Sequence, residues 1–303
     1  MTSRRGFTLI ELVVVLSLLG VTGAAMGMLL LRQQRFYRGA SELLYARESV
    51  RDALDVLATD LRGTAVEDTI RVLADSAVEF YSAIGTSVVC QVADREIGLP
   101  RAVPSGNTLS AFATEPDSGD LVLFYQYDGT GGFWERHRIA AFSGRALGSV
   151  CPGSSGFSTA GDLASGSVGF QLTLDAPLNG GTRPGMPVRF IRRGRYSLYR
   201  ASDGAWYLGY RRCNALGASS CGAIQPLSGP YRSYSSSPAA TGLLFEYFDR
   251  SGGRLTPTSS PLDLARVDVT ARSESTQRLS IEGRAFRPGD SATVSVAIRN
   301  SLP

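Results

Sequence analysis

One stretch near the start governs what this chain can become. From Phe7 to Leu31 the sequence is apolar, and its only charged residue is Glu11. The core of the stretch, Leu12 to Leu31, has no ionisable side chain and matches the ~20 residues that cross a bilayer's hydrocarbon as a helix. A secretory signal would place an apolar run of roughly 7–15 residues before a small-residue cleavage site, so this stretch is too long to be one. A polar head, Met1-Thr2-Ser3-Arg4-Arg5-Gly6, precedes it, and Arg4 and Arg5 favour an N-terminus left in the cytoplasm. Arg32, Arg35 and Arg38 flank the far end, so charge bias alone does not set the orientation. Glu11 is out of place. A carboxylate one turn inside an apolar helix costs on the order of 2.5–3.5 kcal/mol on insertion scales unless it finds a partner, and such a residue marks function by default. The competing reading is a carboxylate near enough to the surface to reach water.

Past Leu31 the pattern becomes amphipathic. Leu43, Ala46, Val50, Leu54, Leu57 and Leu61 recur at steps of three or four, one face of a helix, and Gly63 is a stop signal. No proline occurs before Pro100, whereas the rest of the chain carries all 14. That break predicts one helix of about 55 residues, weakest at Gly20, Gly23, Gly27 and Gly39, and then a turn-rich head. In the head, Val78–Tyr81, Leu121–Tyr127, Phe133–Phe142, Val168–Leu174, Val188–Arg192, Arg195–Ala201, Ala205–Arg211, Gly242–Phe248, Ala265–Ala271 and Thr293–Ile298 read as strands. Leu121 to Tyr125 has the unbroken apolar character of a strand buried on both faces. Asp203-Gly204 reads as a type I′ hairpin turn. The Gly/Ser-rich segments 151–166 and 214–240 read as long loops, the first between two halves of the head. The expected class is therefore α+β: a long N-terminal helix, transmembrane and then amphipathic, packed on an antiparallel β-rich head.

Gly6-Phe7-Thr8-Leu9-Ile10-Glu11-Leu12 resembles the type IV prepilin signature, a G-F-T-L-[IV]-E motif after a short basic leader. The resemblance implies cleavage by a prepilin peptidase between Gly6 and Phe7 and N-methylation of Phe7. It places Glu11 at the family's assembly glutamate, which would pair with the new α-amino group of a neighbouring subunit. It also implies a division into a cytoplasmic leader (1–6), a transmembrane and fibre-core helix (7–31), an amphipathic stalk (32–63) and a periplasmic or extracellular head (64–303). Partners would be other pilins or pseudopilins through the N-terminal helix, the peptidase and an inner-membrane assembly platform. The chain would sit in the inner membrane as a single-pass protein before reaching the pilus or cell surface. Leu57-Ala58-Thr59-Asp60-Leu61-Arg62, Leu243 to Asp249 with Gly252, Val267 to Thr270, and Val294 to Asn300 are similar to the PilW and GspJ groups. These are minor pilins and type II secretion pseudopilins, and a pilus-tip adhesin or DNA-binding subunit is a further reading.

Four cysteines, none in a C-x-x-C pair, and a single histidine argue against a Cys/His metal centre. They suit disulfides in an exported domain. Of three pairings, Cys213–Cys221 closes a short loop and leaves Cys90–Cys151, with four reduced thiols as the competing state. All 31 basic residues are Arg. Arg192, Arg193 and Arg195 concentrate charge on one predicted hairpin beside Tyr196, Tyr199, Trp206, Tyr207 and Tyr210, residue types that hold phosphates and stack bases. The same pattern fits an ordinary amphipathic hairpin. His137, within Glu135-Arg136-His137-Arg138, reads as a surface residue, so no nucleophile–base pair is legible. Asp249 beside Gly252-Gly253 lacks the ligand spacing of a Ca²⁺ loop. The expectation is a non-enzymatic subunit with no cofactor and no metal.

Overall fold

The computed structural model describes residues 8–64, 72–100, 109–127, 129, 131–164, 166–213, 221–260, 263–275, 278–281 and 284–298. Helix α1 (Leu9–Arg62) runs unbroken for 54 residues, through Gly20, Gly23, Gly27 and Gly39. At 1.5 Å per residue it spans about 80 Å. Gly63 ends it, with its N–H bonded to the Thr59 carbonyl at 3.2 Å. Its φ of −78° is not the left-handed value of a glycine cap. The stop instead comes from the sheet, where the Ala83 N–H takes the Gly63 carbonyl at 2.9 Å.

The head begins with β1 (Val72–Leu73), β2 (Ala77–Val88), β3 (Gln91–Ala93), β4 (Glu96–Leu99), β5 (Ala111–Phe112), β6 (Leu121–Tyr127) and β7 (Gly132–Ala146). Helices α2 (Leu147–Val150) and α3 (Ala160–Ala164) follow, then β8 (Val168–Leu174), β9 (Pro187–Arg200), β10 (Trp206–Arg212) and β11 (Gln225–Tyr231). The chain closes with β12 (Leu243–Phe248), β13 (Arg266–Glu274), a small ribbon of β14 (Leu279–Ile281) and β15 (Arg284–Phe286), and β16 (Gly289–Ala297). The main path through the sheet is β12-β13-β11-β10-β9-β6-β7-β8-β4-β3, with β16 on β13 and β2 on β9. The pairings are antiparallel. Strand β7 turns the corner: its first half pairs β6, and after a register shift at Ile139–Ala141 its second half pairs β8.

Two large apolar cores result, with two smaller clusters beside them among the described residues. The larger holds Val50, Leu54, Leu57 and Leu61 of α1 against Phe80, Tyr196, Phe245 and Val269. The smaller lies at the far end, around Phe124, Ile139, Leu172 and Phe190. Strands β2 and β9 belong to both, so they tie the two lobes into one sheet. Leu121 to Phe124 are buried on both faces, as the apolar run predicts, but Tyr125, the last residue of that run, is exposed.

Several expectations need correction. Val188–Arg192 and Arg195–Ala201 form one strand, β9, not two. Gly194 is a packing site rather than a break, because a Cβ there would meet the Tyr210 ring at 2.5 Å. Segment 214–240 contains β11, whose Pro226 and Pro230 sit in an irregular ladder to β10. Segment 151–166 does not separate two halves. It carries α3 and is pinned to the far lobe through Cys151, packed with Cys90, Leu147 and Val150. At the β9–β10 turn Gly204 has a φ of 83°, but Asp203 is not left-handed, so the turn is not type I′. Asp203 instead accepts the Ala205 N–H through its side chain at 2.9 Å.

Only the last third of α1 is docked; its first fully buried residue is Ala46. Polar latches accompany the apolar seam. Ser275 donates to the Glu42 carboxylate, and Arg47 pairs with Asp290 at 3.5 Å. The Ser49 hydroxyl donates to the Gly229 carbonyl at 2.9 Å, while the Tyr231 hydroxyl donates to the Ser49 carbonyl at 2.6 Å. Near the end, Tyr196 donates to Asp60. Burial raises the Asp60 carboxyl above its ordinary range, and the Tyr196 hydrogen bond only partly offsets this. The native state therefore holds this proton more tightly than the unfolded chain does. The associated stability is complete below the ordinary Asp value of about 4 and is lost as pH rises through the raised native value. Asp60→Asn, which keeps an acceptor for Tyr196 without the charge, is expected to match or exceed the parent's stability at pH 7 and to lose that advantage at acid pH. Asp60→Ala, which strands the Tyr196 hydroxyl, should cost about 1–3 kcal/mol. Thermal unfolding of the detergent-solubilised chain across pH reads both.

Candidate functional site

Gly6 and Phe7 lie outside the described residues; the described site starts at Thr8. This residue caps α1 with extended backbone (φ −79°, ψ 150°), and its hydroxyl accepts the Glu11 N–H at 3.4 Å. Thr8-x-x-Glu11 is thus the spacing of a capping box, a signal present in the sequence that the reading above passed over. It sets Glu11 in the first turn, at the positive end of a long helix dipole.

From Leu9 to Leu31 the exposed large apolar side chains are each at least 46% accessible. Fifteen such side chains, at about 1.5–3 kcal/mol each, represent tens of kcal/mol of burial that the chain's own head does not supply. Lipid or other helices must cover them. The two hydroxyls in the stretch are already satisfied: Ser17 donates to the Val13 carbonyl at 2.8 Å and Thr22 to that of Leu18 at 2.9 Å. Gly20, Gly23 and Gly27 share one side by helical spacing, with no atom within 4 Å of where a Cβ would stand. They form a shallow strip where another backbone can come close.

The arginines grouped by sequence are largely spent inside the head. Arg192 bonds both oxygens of Asp120, its Nη2 at 2.7 Å, and also the Glu115 carbonyl at 3.0 Å. Arg212 completes the network, with Nη1 2.7 Å from Asp117 and Nη2 3.0 Å from Asp120. These contacts raise the Arg192 guanidinium and lower the Asp117 carboxyl. Arg193 is buried against Glu79, with Nε 2.7 Å from the carboxylate. Of the three residues read as a phosphate-binding cluster, only Arg195 stands clear of a buried pair, and it is half-buried. Alternation along β9 explains the outcome. Arg192 and Arg193 fall on opposite faces, and each meets a carboxylate there: Arg192 reaches Asp120, and Arg193 reaches Glu79, which stands opposite Arg195 one diagonal step away.

Cys90 is joined to Cys151, with Cα atoms 5.4 Å apart, and Cys213 to Cys221. The first closes a separation of 61 residues, worth about 4 kcal/mol in the chain-entropy account; the second closes 8 and is worth about 2.5 kcal/mol. Glu79 lies within 4.8 Å of the second disulfide, but both sulfurs and the carboxylate are already committed. His137 is not on the surface. It is 9% exposed, with Nε2 2.9 Å from Glu135 and Nδ1 3.7 Å from Asp175. Glu135 also accepts the Asn179 N–H at 3.1 Å, so this group fastens the β6–β7 hairpin to the segment leading into β9. Asp249 is held by the Ser251 hydroxyl at 2.6 Å and the Gly253 N–H at 2.8 Å, a turn built from its own backbone.

Compared with known proteins, residues 1–27 match the model of the prokaryotic N-terminal methylation motif. The match supports a type IV pilin-like or pseudopilin protein. No curated protein and no solved structure matches the chain.

Arg193→Ala would leave Glu79 charged and without this partner in the interior, and should destabilise the head by about 3–5 kcal/mol. Arg189, which is exposed and stacks on Trp134 with its guanidinium 4.8 Å from the ring centroid, should cost under about 1 kcal/mol when changed to Ala. Denaturant unfolding of the two variants checks the contrast.

Proposed function

We propose that the chain is a minor pilin of a type IV pilus, cleaved after Gly6, methylated at Phe7 and stored in the inner membrane before it joins the fibre or its tip complex. One observation carries the reading. The helix that opens with the methylation motif presents its first 23 residues uncovered, and anchors to the head only from Glu42 onward. Such a helix exchanges lipid for the flanks of sister helices when the subunit leaves the bilayer. Repeated addition of this kind is a heterologous contact that makes filaments rather than rings. The size of the head, residues 64–303, supports a terminal position over a repeating one.

Glu11 has two roles to separate: capping its own helix and pairing with the α-amine of a neighbour. Glu11→Gln keeps the residue type that completes a capping box but removes the charge. Loss of a partner for a buried amine is worth about 3–5 kcal/mol, so Glu11→Gln should enter sheared pili at under about a hundredth of the parent's level. Mass spectrometry of sheared fibres reads this and the mature N-terminus together. Parent-level incorporation of Glu11→Gln rules out pairing, and a chain retaining Met1 in the fibre rules out processing. Co-fractionation with a secretion apparatus instead of pili would move the assignment to a minor pseudopilin.

A further inference from the structure

We propose that the open edge of β16 receives an extended strand from a different subunit, joining two heads into one continuous sheet. The proposal rests on the reading that the chain joins a fibre or its tip complex. Strand β16 borders the main sheet and pairs only with β13. Its nine pairs with β13 run without a register shift, and the Ile298 N–H bonds the Ala265 carbonyl at 2.9 Å. Antiparallel ladders alternate, so Val294, Val296 and Ile298 spend their backbone groups on β13, while Thr293, Ser295 and Ala297 turn theirs outward. Among the described residues these three meet no backbone partner on that side. The nearby border at β12 is closed by contrast. There the Phe245 N–H takes the Asp75 carbonyl at 2.8 Å, and the Leu255 N–H takes that of Tyr247 at 2.8 Å.

Proteins guard such edges with charge, proline, a bulge or a cover. From Ser291 to Ile298, β16 has no charge, no proline and no bulge. Thr293, Ser295 and Ala297 are exposed, whereas Val294 is half-buried and Val296 fully buried against the core that holds α1. The edge therefore offers a row of donors and acceptors, flanked by small uncharged side chains, to another extended backbone. That is the chemistry of strand addition. Its place in the fold favours a neighbour in the assembly. Asp290, at the start of β16, pairs with Arg47, so the edge runs beside the docked part of α1. One turn earlier on the same side of the helix, Leu44 is 63% exposed and offers the added segment an apolar contact. A subunit that covers the bare part of α1 is carried past this edge. A second copy fits it less well. Edge to edge it makes an isologous, closed contact, and antiparallel pairing sets two α1 helices head to tail, which one bilayer cannot hold.

The test uses the full chain, in detergent and in sheared fibres, with residue-resolved hydrogen exchange of the segment 289–298. In detergent the Thr293, Ser295 and Ala297 amides are expected to exchange at least about tenfold faster than those of Val294 and Val296, and in fibres to slow to match them. Ser295→Pro removes one outward donor at a position that an edge strand tolerates. Its level in fibres should fall about tenfold, the scale of one backbone hydrogen bond, with thermal unfolding in detergent unchanged. A photo-crosslinker placed at Ser295 should join the chain to another pilin, identified by mass spectrometry. Equally fast exchange in fibres and in detergent, parent-level entry of Ser295→Pro, or a crosslink to a second copy overturns the proposal. Where Ser295→Pro unfolds the chain, the parent's exchange decides. Absence of the chain from fibres overturns instead the function on which the proposal rests.

Discussion

The structure depends on an imbalance along one helix. The apolar surface of α1 is continuous, but the head covers only its last third, where Ala46, Val50, Leu57 and Leu61 close against the sheet. The rest of that surface is too large to face water. A fold of this kind is complete only with a second apolar medium around it. The head is accordingly organised to hold one end of a rod firmly and leave the other end free. Its larger core exists to receive α1, and the smaller core, stapled by Cys90–Cys151, extends the sheet away from the stalk.

The helix and its two-part character were readable because their signal is periodic and local. An apolar run gives way to steps of three and four, and a compositional break in proline marks the end. Most strands were also legible, since alternation and apolar runs such as Leu121 to Phe124 survive in one dimension. What escaped detection depends on contacts distant in sequence. Gly194 looks like a break until the Tyr210 ring is seen lying over it. Strand β11 is hidden by Pro226 and Pro230, which an irregular ladder tolerates. The short strands β3, β4 and β5 carry too few residues for any period to show.

The arginine cluster is the instructive failure. Counting charges along a hairpin cannot reveal that neighbours on a strand face opposite sides, or that Asp120 and Glu79 wait on those sides from segments more than 70 residues away. His137 misled in the same way: its sequence neighbours are charged, yet Phe124 and two carboxylates enclose it in space. At the N-terminus the case is reversed. The cap that Thr8 gives α1 through the Glu11 N–H depends on sequence spacing alone, so it was open to a reading that looked past the apolar run.

The latches between stalk and head, at Glu42, Arg47, Ser49 and Asp60, are strung out along the rod rather than gathered at one point. Tension applied along the rod's axis must shear all of them and the apolar seam at once, whereas a sideways pull could open them in turn. The attachment is therefore strongest along the rod's own axis.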